Sequence, residues 1–122
     1  MLFTVSLTDN RSFLRLYKKG TAVFSRDCTL YFLQNRLPFN RLGITTGKKI
    51  GNAVMRNRVK RIIKAAYQQN EMLFPLGFDI VIVAKPSAKE AKSTDISKFL
   101  GSKAISKINC FEPQKAVNYK KR

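Results

Sequence analysis

The chain has 122 residues and carries 24 Lys and Arg against 7 Asp and Glu, which gives a formal net charge of +17 at pH 7. This length predicts one small domain and excludes a multidomain enzyme. The excess of positive charge indicates a polyanionic partner, and nucleic acid is the leading candidate. A hydrophobic content of 44% is enough for a packed core, so a disordered basic tail is excluded. Histidine is absent, which removes the commonest general base and argues against self-contained hydrolysis.

The two cysteines, Cys28 and Cys110, form neither a disulfide framework nor a C-x-x-C metal motif. We therefore expect reduced thiols and a cytoplasmic location. Residues 1–9 lack the long apolar run of a signal peptide, and no segment approaches 18 apolar residues. The sequence thus predicts a soluble protein that is not exported and has no membrane partner.

The first predicted element is a short helix over residues 10–19. Asp9 or Thr8 supplies an N-cap oxygen, two lysines occupy the last turn, and Gly20 stands at the C′ position. Its apolar stripe faces either the core or a cleft, with the core favoured, and consists of Phe13, Leu16 and Tyr17.

The next elements are strands. Residues 21–24 predict an edge strand, and residues 27–33 predict a longer one. Alternation in the longer strand places Cys28, Leu30 and Phe32 on one face and Thr29 and Tyr31 on the other. Residues 41–46 resume the two-residue period with Leu42 and Ile44 inward. We expect these last two strands to pair as neighbours.

Residues 54–72 carry the clearest helical pattern, with an apolar side formed by Met55, Val59, Ile62, Ile63 and Ala66. Residues 78–84 are a nearly continuous apolar run, typical of a central strand buried on both faces. A last helix, capped by Ser93 or Thr94, repeats apolar residues at Ile96, Phe99, Leu100, Ala104 and Ile108. The order helix, strands, helix, strand, helix predicts a single α+β sandwich over residues 1–108, followed by a basic tail over 109–122.

The positive charge is concentrated in the middle of the chain. No acidic residue lies between Asp27 and Glu71. On the helix over residues 54–72, the side opposite the apolar one carries Asn57, Lys60, Arg61 and Lys64, flanked by Arg56 and Arg58. Like charges four residues apart repel, and this local cost indicates an anionic partner. The alternatives are a phosphate-binding face, which we favour, and a plain solubilising face.

The spacing and composition of the sequence argue against two classes of enzyme, a P-loop nucleotide hydrolase and a two-metal nuclease. The glycines of Gly43-Ile44-Thr45-Thr46-Gly47-Lys48-Lys49 are one residue too close for a P-loop, and Lys49 occupies the Ser/Thr position that would bind Mg²⁺. The seven acidic residues are scattered, whereas a two-metal nuclease needs a cluster of them.

Aromatic side chains offer a second mode of nucleic-acid binding, because unpaired bases stack on Phe and Tyr within a positive groove. The candidates are Phe13, Tyr17 and Tyr31. For each of them the core remains the alternative. Tyr31 is the best candidate because it lies on the strand face opposite Cys28.

The run from Lys48 to Lys64, KKIGNAVMRNRVKRIIK, resembles the signature of the bacterial ribonuclease P protein subunit, whose centre is the Arg-Asn-Arg motif, here Arg56-Asn57-Arg58. The likeness extends over most of the chain up to about residue 108. It implies the fold of the second domain of the fifth small-subunit ribosomal protein, with a left-handed crossover. It also implies a protein subunit without catalytic residues, assisting a catalytic RNA that removes the 5′ leader of precursor tRNA with Mg²⁺ bound mainly by the RNA and no organic cofactor.

Carried over by position, the resemblance implies two sets of binding residues. Those expected to face the catalytic RNA are Lys48, Lys49, Asn52, Arg56, Asn57, Arg58, Lys60, Arg61 and Lys64. Those expected to receive the precursor-tRNA leader are Phe13, Tyr17, Tyr31 and Lys85. No metal ligand and no obligate protein partner are expected. The alternative function is a structural, ribosomal-type protein that binds rRNA.

Overall fold

A computed structural model describes residues 2–110 of the chain. The elements within this range are β1 (Thr4–Ser6), α1 (Asn10–Lys19), β2 (Thr21–Phe24), β3 (Cys28–Gln34), β4 (Asn40–Thr45), α2 (Ala53–Asn70), β5 (Phe78–Ala84) and α3 (Ser93–Phe99). Short 3-10 turns cover Lys48–Ile50, Glu71–Leu73 and Pro86–Glu90.

The strands form one sheet of five in the order β1-β4-β5-β3-β2. β5 lies in the middle, parallel to β4 and antiparallel to β3, which confirms the central position predicted from its apolar run. The predicted edge strand β2 is also confirmed. The expectation that β3 and β4 pair as neighbours is wrong, because β5 lies between them in the sheet. In this central position β5 is buried on both of its faces.

Helices cover both faces of the sheet, which confirms the predicted α+β sandwich. One face packs against α2 and α3 in the main core and includes Cys28, Leu30 and Phe32 as predicted. The opposite face packs against α1 in a smaller core built on Leu16 and Val81. Because α1 is short, it covers only part of that second face.

α1 begins and ends where the sequence predicts. The Asp9 carboxylate caps it, accepting hydrogen bonds from the Ser12 backbone N–H (3.0 Å) and hydroxyl (2.8 Å), and these bonds lower the pKa of Asp9. Gly20 follows the helix, but its φ of −74° is not left-handed. A Cβ there would lie 2.5 Å from the carbonyl oxygen of Leu16, so this glycine permits a close approach of backbone to backbone.

α2 spans Ala53–Asn70, so the predicted helix starts one residue earlier and passes into a 3-10 turn at its end. The Asn52 side chain caps it by accepting from the Met55 N–H at 3.0 Å. The predicted apolar side is confirmed, since Val59, Ile63 and Ala66 are buried.

α3 is capped differently from the prediction. Lys92, not Ser93 or Thr94, stands at the N-cap, and its backbone N–H donates to the Asp95 carboxylate at 3.0 Å. The acidic residue therefore supplies the polar partner at the start of this helix. A π-helical segment, Leu100–Ala104, follows Phe99, and helical backbone continues over 105–110. The first two residues of the predicted tail thus extend the helix, and residues 111–122 lie outside the described range.

The sequence does not predict β1, which pairs in parallel with β4. A buried carboxylate holds it in place. Glu71 accepts from the backbone N–H groups of Leu2 (2.9 Å) and Phe3 (2.8 Å) and from the Thr4 hydroxyl (2.7 Å). The Tyr67 hydroxyl adds a contact of 2.8 Å to Thr4. In the described part of the chain, no helix combines the length and apolar character needed to cross a membrane.

Candidate RNA-binding surfaces

The first candidate surface is the outward side of α2 together with the turn before it. We call it the cationic face, defined as Lys48, Lys49, Asn52, Arg56, Asn57, Arg58, Lys60, Arg61 and Lys64. All of these residues are exposed except Arg56, which is half-buried. Within residues 2–110 the two ion pairs are Arg26–Asp27 and Arg41–Asp79, so no carboxylate neutralises the cationic face.

Two of these residues also have partners within the protein. The Asn52 side-chain oxygen is occupied by its capping bond to Met55. An Arg58 guanidinium nitrogen, Nη1, donates to the Lys89 carbonyl oxygen at 3.0 Å, which joins α2 to the turn Pro86–Glu90. A guanidinium has five N–H donors, so Arg58 keeps others for a ligand.

The cationic face is electrostatically costly for the free protein. Arg56, Lys60 and Lys64 follow one another at four-residue spacing, and each like-charged pair costs about 0.2–0.5 kcal/mol. The first turn of α2 carries no acidic residue to offset the positive end of the helix dipole, and Lys48 and Lys49 lie just before it. A bound polyanion would remove these penalties.

The second candidate surface is the part of the sheet face beside α1, which we call the aromatic cleft. The ring centroids of Phe13 and Tyr17 lie 6.5 Å apart, and those of Tyr17 and Tyr31 lie 5.1 Å apart with nearly perpendicular rings. Tyr17 is 40% exposed, and the other two rings are half-buried. The Tyr17 hydroxyl contacts the Thr45 hydroxyl at 3.4 Å.

The predicted stripe of α1 therefore divides between the core and the cleft. Leu16 is fully buried, whereas Phe13 and Tyr17 border the cleft. Gly43 makes room for Phe13, because a Cβ at this position would lie 2.5 Å from the Cζ atom of the ring. Tyr31 lies on the sheet face opposite Cys28, as predicted.

Lys85 lies at the β2 side of the same sheet face. Its ammonium donates to the Ser25 carbonyl oxygen at 2.6 Å and lies 6.0 Å from the centroid of the Phe24 ring. The sequence does not predict Phe24 as a site residue. The available signal was the alternation of β2, in which a buried Val23 precedes an outward Phe24.

Asp79, which follows the two-residue period of β5 on the sheet face of the aromatic cleft, already has partners within the protein. The Asp79 carboxylate receives a bidentate bond from Arg41 (2.7 and 2.6 Å) and a bond from the Asn35 amide (2.9 Å). This hydrogen bonding raises the pKa of Arg41. Among residues 2–110, no group of three or more His, Cys, Asp or Glu side chains is arranged to hold a metal ion.

The sequence profile of the Ribonuclease P family matches residues 3–108. The chain belongs to the ribonuclease P protein family. It is 38% identical over 94 residues to the ribonuclease P protein component of Alkaliphilus metalliredigens, covering 77% of this chain and 85% of that relative. It is 43% identical over 91 residues to the component from Syntrophus aciditrophicus, covering 75% and 76%.

Solved structures of ribonuclease P proteins have the same fold. The Staphylococcus aureus RNase P protein superimposes with a TM-score of 0.74 at 34% identity, covering 84% of this chain and 95% of that one. The Thermotoga maritima RNase P protein gives 0.70 at 26% identity, covering 84% and 94%. These similarities confirm the predicted family and support ribonuclease P rather than the ribosomal alternative. The left-handed crossover and the domain boundary at residue 108 stay predictions.

Proposed function

We propose that this chain is the protein subunit of ribonuclease P, which binds the catalytic RNA and the 5′ leader of precursor tRNA while the RNA performs the cleavage. The observation that carries the proposal is the cationic face of α2, an exposed and unneutralised surface on a member of the ribonuclease P protein family. Its arginines suit phosphate oxygens, which a planar guanidinium grips with two parallel hydrogen bonds.

The catalytic RNA binds the cationic face. Six to ten phosphate contacts there would make affinity fall about 10³- to 10⁵-fold between 50 and 200 mM salt. Asn57 lies exposed between two arginines and adds a neutral donor and acceptor.

The precursor-tRNA leader occupies the aromatic cleft. Its unpaired bases stack on Phe13, Tyr17 and Tyr31, and its phosphates meet Lys85. Stacking accepts any base because each has a π face, so this cleft suits leaders of varied sequence. Double-stranded RNA does not present its base faces in this way.

The protein contributes binding and not reacting groups. Histidine is absent from the chain, and three of its acidic side chains, Asp27, Glu71 and Asp79, are committed to internal hydrogen bonds. Among residues 2–110, moreover, no three or more His, Cys, Asp or Glu side chains are grouped so that they could hold a metal ion, and this supports our assignment of the Mg²⁺ that assists hydrolysis to the RNA. Positive charge on the protein lowers the repulsion between the two RNAs that must approach each other.

We place this function in the cytoplasm. What supports this location is that Cys28 and Cys110 are both free thiols, the state that is usual in a reducing compartment.

The decisive experiment adds the chain to a bacterial ribonuclease P RNA at low Mg²⁺ and measures cleavage of precursor tRNA. We expect the protein to restore cleavage at the mature 5′ end and to raise affinity for precursor over mature tRNA. A ribosomal-type protein would bind the RNA without restoring cleavage. Cleavage by the protein alone, or equal affinity for precursor and mature tRNA, would contradict the proposal.

A further inference from the structure

Phe24 is an exposed aromatic residue on the same sheet face as the aromatic cleft. Its side chain is 58% exposed, although the preceding Val23 is buried. In the register of β2 and β3, Ala22 lies opposite Tyr31 and Phe24 lies opposite Thr29. Phe24 and Tyr31 are therefore diagonal neighbours, whose Cα atoms are about 7–8 Å apart in such a pair.

Two lysines donate hydrogen bonds to backbone carbonyls at or next to Phe24. Lys85 lies 6.0 Å from the ring centroid and is held by its bond to the Ser25 carbonyl. Lys103 donates to the carbonyl oxygen of Phe24 itself at 2.7 Å. A single exposed apolar side chain is ordinary on a protein surface. An exposed ring beside a positioned ammonium, on the same sheet face as the exposed Tyr17 and the half-buried Tyr31, has the composition of a site for single-stranded nucleic acid.

We propose that Phe24 and Lys85 form an additional nucleotide subsite at the β2 edge of the aromatic cleft. An unpaired base stacks on the part of the Phe24 ring that Lys85 leaves open, and Lys85 contacts the phosphate beside it. Lys85 has donors for this, because one of its three N–H bonds serves Ser25. The subsite deepens the proposed function, on which it rests, by adding one leader nucleotide to those held by Phe13, Tyr17 and Tyr31.

The test uses the reconstituted holoenzyme and precursor tRNA with the fluorescent base 2-aminopurine placed at successive leader positions. Stacking on an aromatic ring quenches this base. We expect Phe24→Ala to restore fluorescence at one leader position and to weaken precursor binding about 5- to 150-fold, the equivalent of one lost stacking contact. Phe24→Trp should keep both the quenching and the affinity.

Leu73→Ala is the matched control, because Leu73 is 55% exposed and lies after α2, away from the cleft. This variant should change neither signal. Mature tRNA, which has no leader, should bind equally to all variants. Urea unfolding of each variant separates a lost contact from a lost fold, and an exposed edge position should change the free energy of unfolding little.

Tyr31→Ala, measured in parallel, separates the two levels of the proposal. If Tyr31→Ala weakens precursor binding but Phe24→Ala restores fluorescence at no position, the additional subsite is wrong and the cleft stands. If neither variant affects precursor binding, the assignment of the leader to the cleft is wrong. If Phe24→Ala weakens assembly with the catalytic RNA instead, Phe24 belongs to a different surface and the subsite is again refuted.

Discussion

Replacing Lys60 with Gln should weaken binding to the catalytic RNA and make the free protein more stable. Lys60 is exposed in the middle of α2, with Arg56 four residues before it and Lys64 four residues after it. Each neighbour repels it, and within residues 2–110 no carboxylate pairs with it. Lys and Gln have nearly equal helix propensity, so the substitution changes the charge and little else.

The two effects can be sized separately. Removing two like-charged pairs should raise the free energy of unfolding by about 0.4–1 kcal/mol at low ionic strength, and the gain should shrink as salt screens the charges. If Lys60 neutralises one phosphate, the slope of log K against log salt should become shallower by about 0.9. If the native protein and the variant bind equally at 1 M salt, this change in slope corresponds to roughly an eightfold loss of affinity for the variant at 0.1 M salt and a threefold loss at 0.3 M.

Urea unfolding measures the stability, because urea leaves the ionic strength unchanged. Filter binding of the labelled RNA at constant Mg²⁺ over a salt series gives the slope. Lys98→Gln is the matched control. Lys98 is exposed on α3, three residues after Asp95, so its loss should lower stability slightly and leave the binding slope unchanged. Equal slopes for the native protein and Lys60→Gln, or a fall in both stability and affinity, would refute the electrostatic account of this face.

Three further predictions concern the cleft and the anchor of β1. Tyr31→Ala should weaken precursor binding in a fluorescence titration while assembly with the catalytic RNA stays near normal. If the variant fails to fold instead, Tyr31 is a core residue and its assignment to leader binding is wrong. Gly43→Ala should displace the Phe13 ring, lower the free energy of unfolding by about 1–3 kcal/mol in urea and weaken precursor binding. Glu71→Gln should lower the free energy of unfolding by about 1–3 kcal/mol at neutral pH. It replaces the carboxylate that accepts hydrogen bonds from Leu2, Phe3 and Thr4 with an amide that has one acceptor oxygen. Burial alone raises the pKa of Glu71, but the backbone and hydroxyl donors outweigh it and the net shift is downward. The carboxylate therefore stabilises the fold above its unfolded pKa of about 4.5, and this contribution is lost as pH falls through the folded value. Thermal unfolding from pH 3 to 7 should show the two proteins converging at the acidic end, and a constant difference would contradict this reasoning.

Local patterns predict the elements of this fold better than their arrangement. The apolar run of β5 identifies a strand buried on both faces, and therefore a central one. A two-residue period assigns the faces of β3 and β4, but it carries no information on which strand lies beside which, and β5 separates the two. β1 has three residues, and the bonds that hold it come from Tyr67 and Glu71, more than sixty residues away in sequence. No local signal could have identified it.

The candidate sites divide in the same way. Most of the cationic face lies on one helix, so the composition and spacing of that part can be predicted from the sequence. The neighbourhood of Phe24 and Lys85 is not, because it brings together β2 and the end of β5 across the sheet. Gly43 is similar, since its role depends on a ring of α1 that packs against it. Sites built from one element can be predicted from periodicity, whereas sites built between elements need the register of the sheet.

The two proposed RNA surfaces meet at one end of the sheet. Lys85 belongs to the cleft, and the turn Pro86–Glu90 that follows it contacts the turn Lys48–Ile50 before α2. The carbonyl of Lys89 within that turn accepts the hydrogen bond from Arg58, a residue of the cationic face. Short, hydrogen-bonded backbone thus joins the two surfaces, so a leader in the cleft and an RNA on α2 would be held at a fixed mutual position. Repulsion between two RNAs is greatest where they come closest, and Lys85 of one surface and Arg58 of the other both flank this junction. In the function that we propose, the protein would therefore favour cleavage by the RNA without supplying reacting groups, because it would fix the approach of the leader to the RNA and lower the electrostatic cost of that approach.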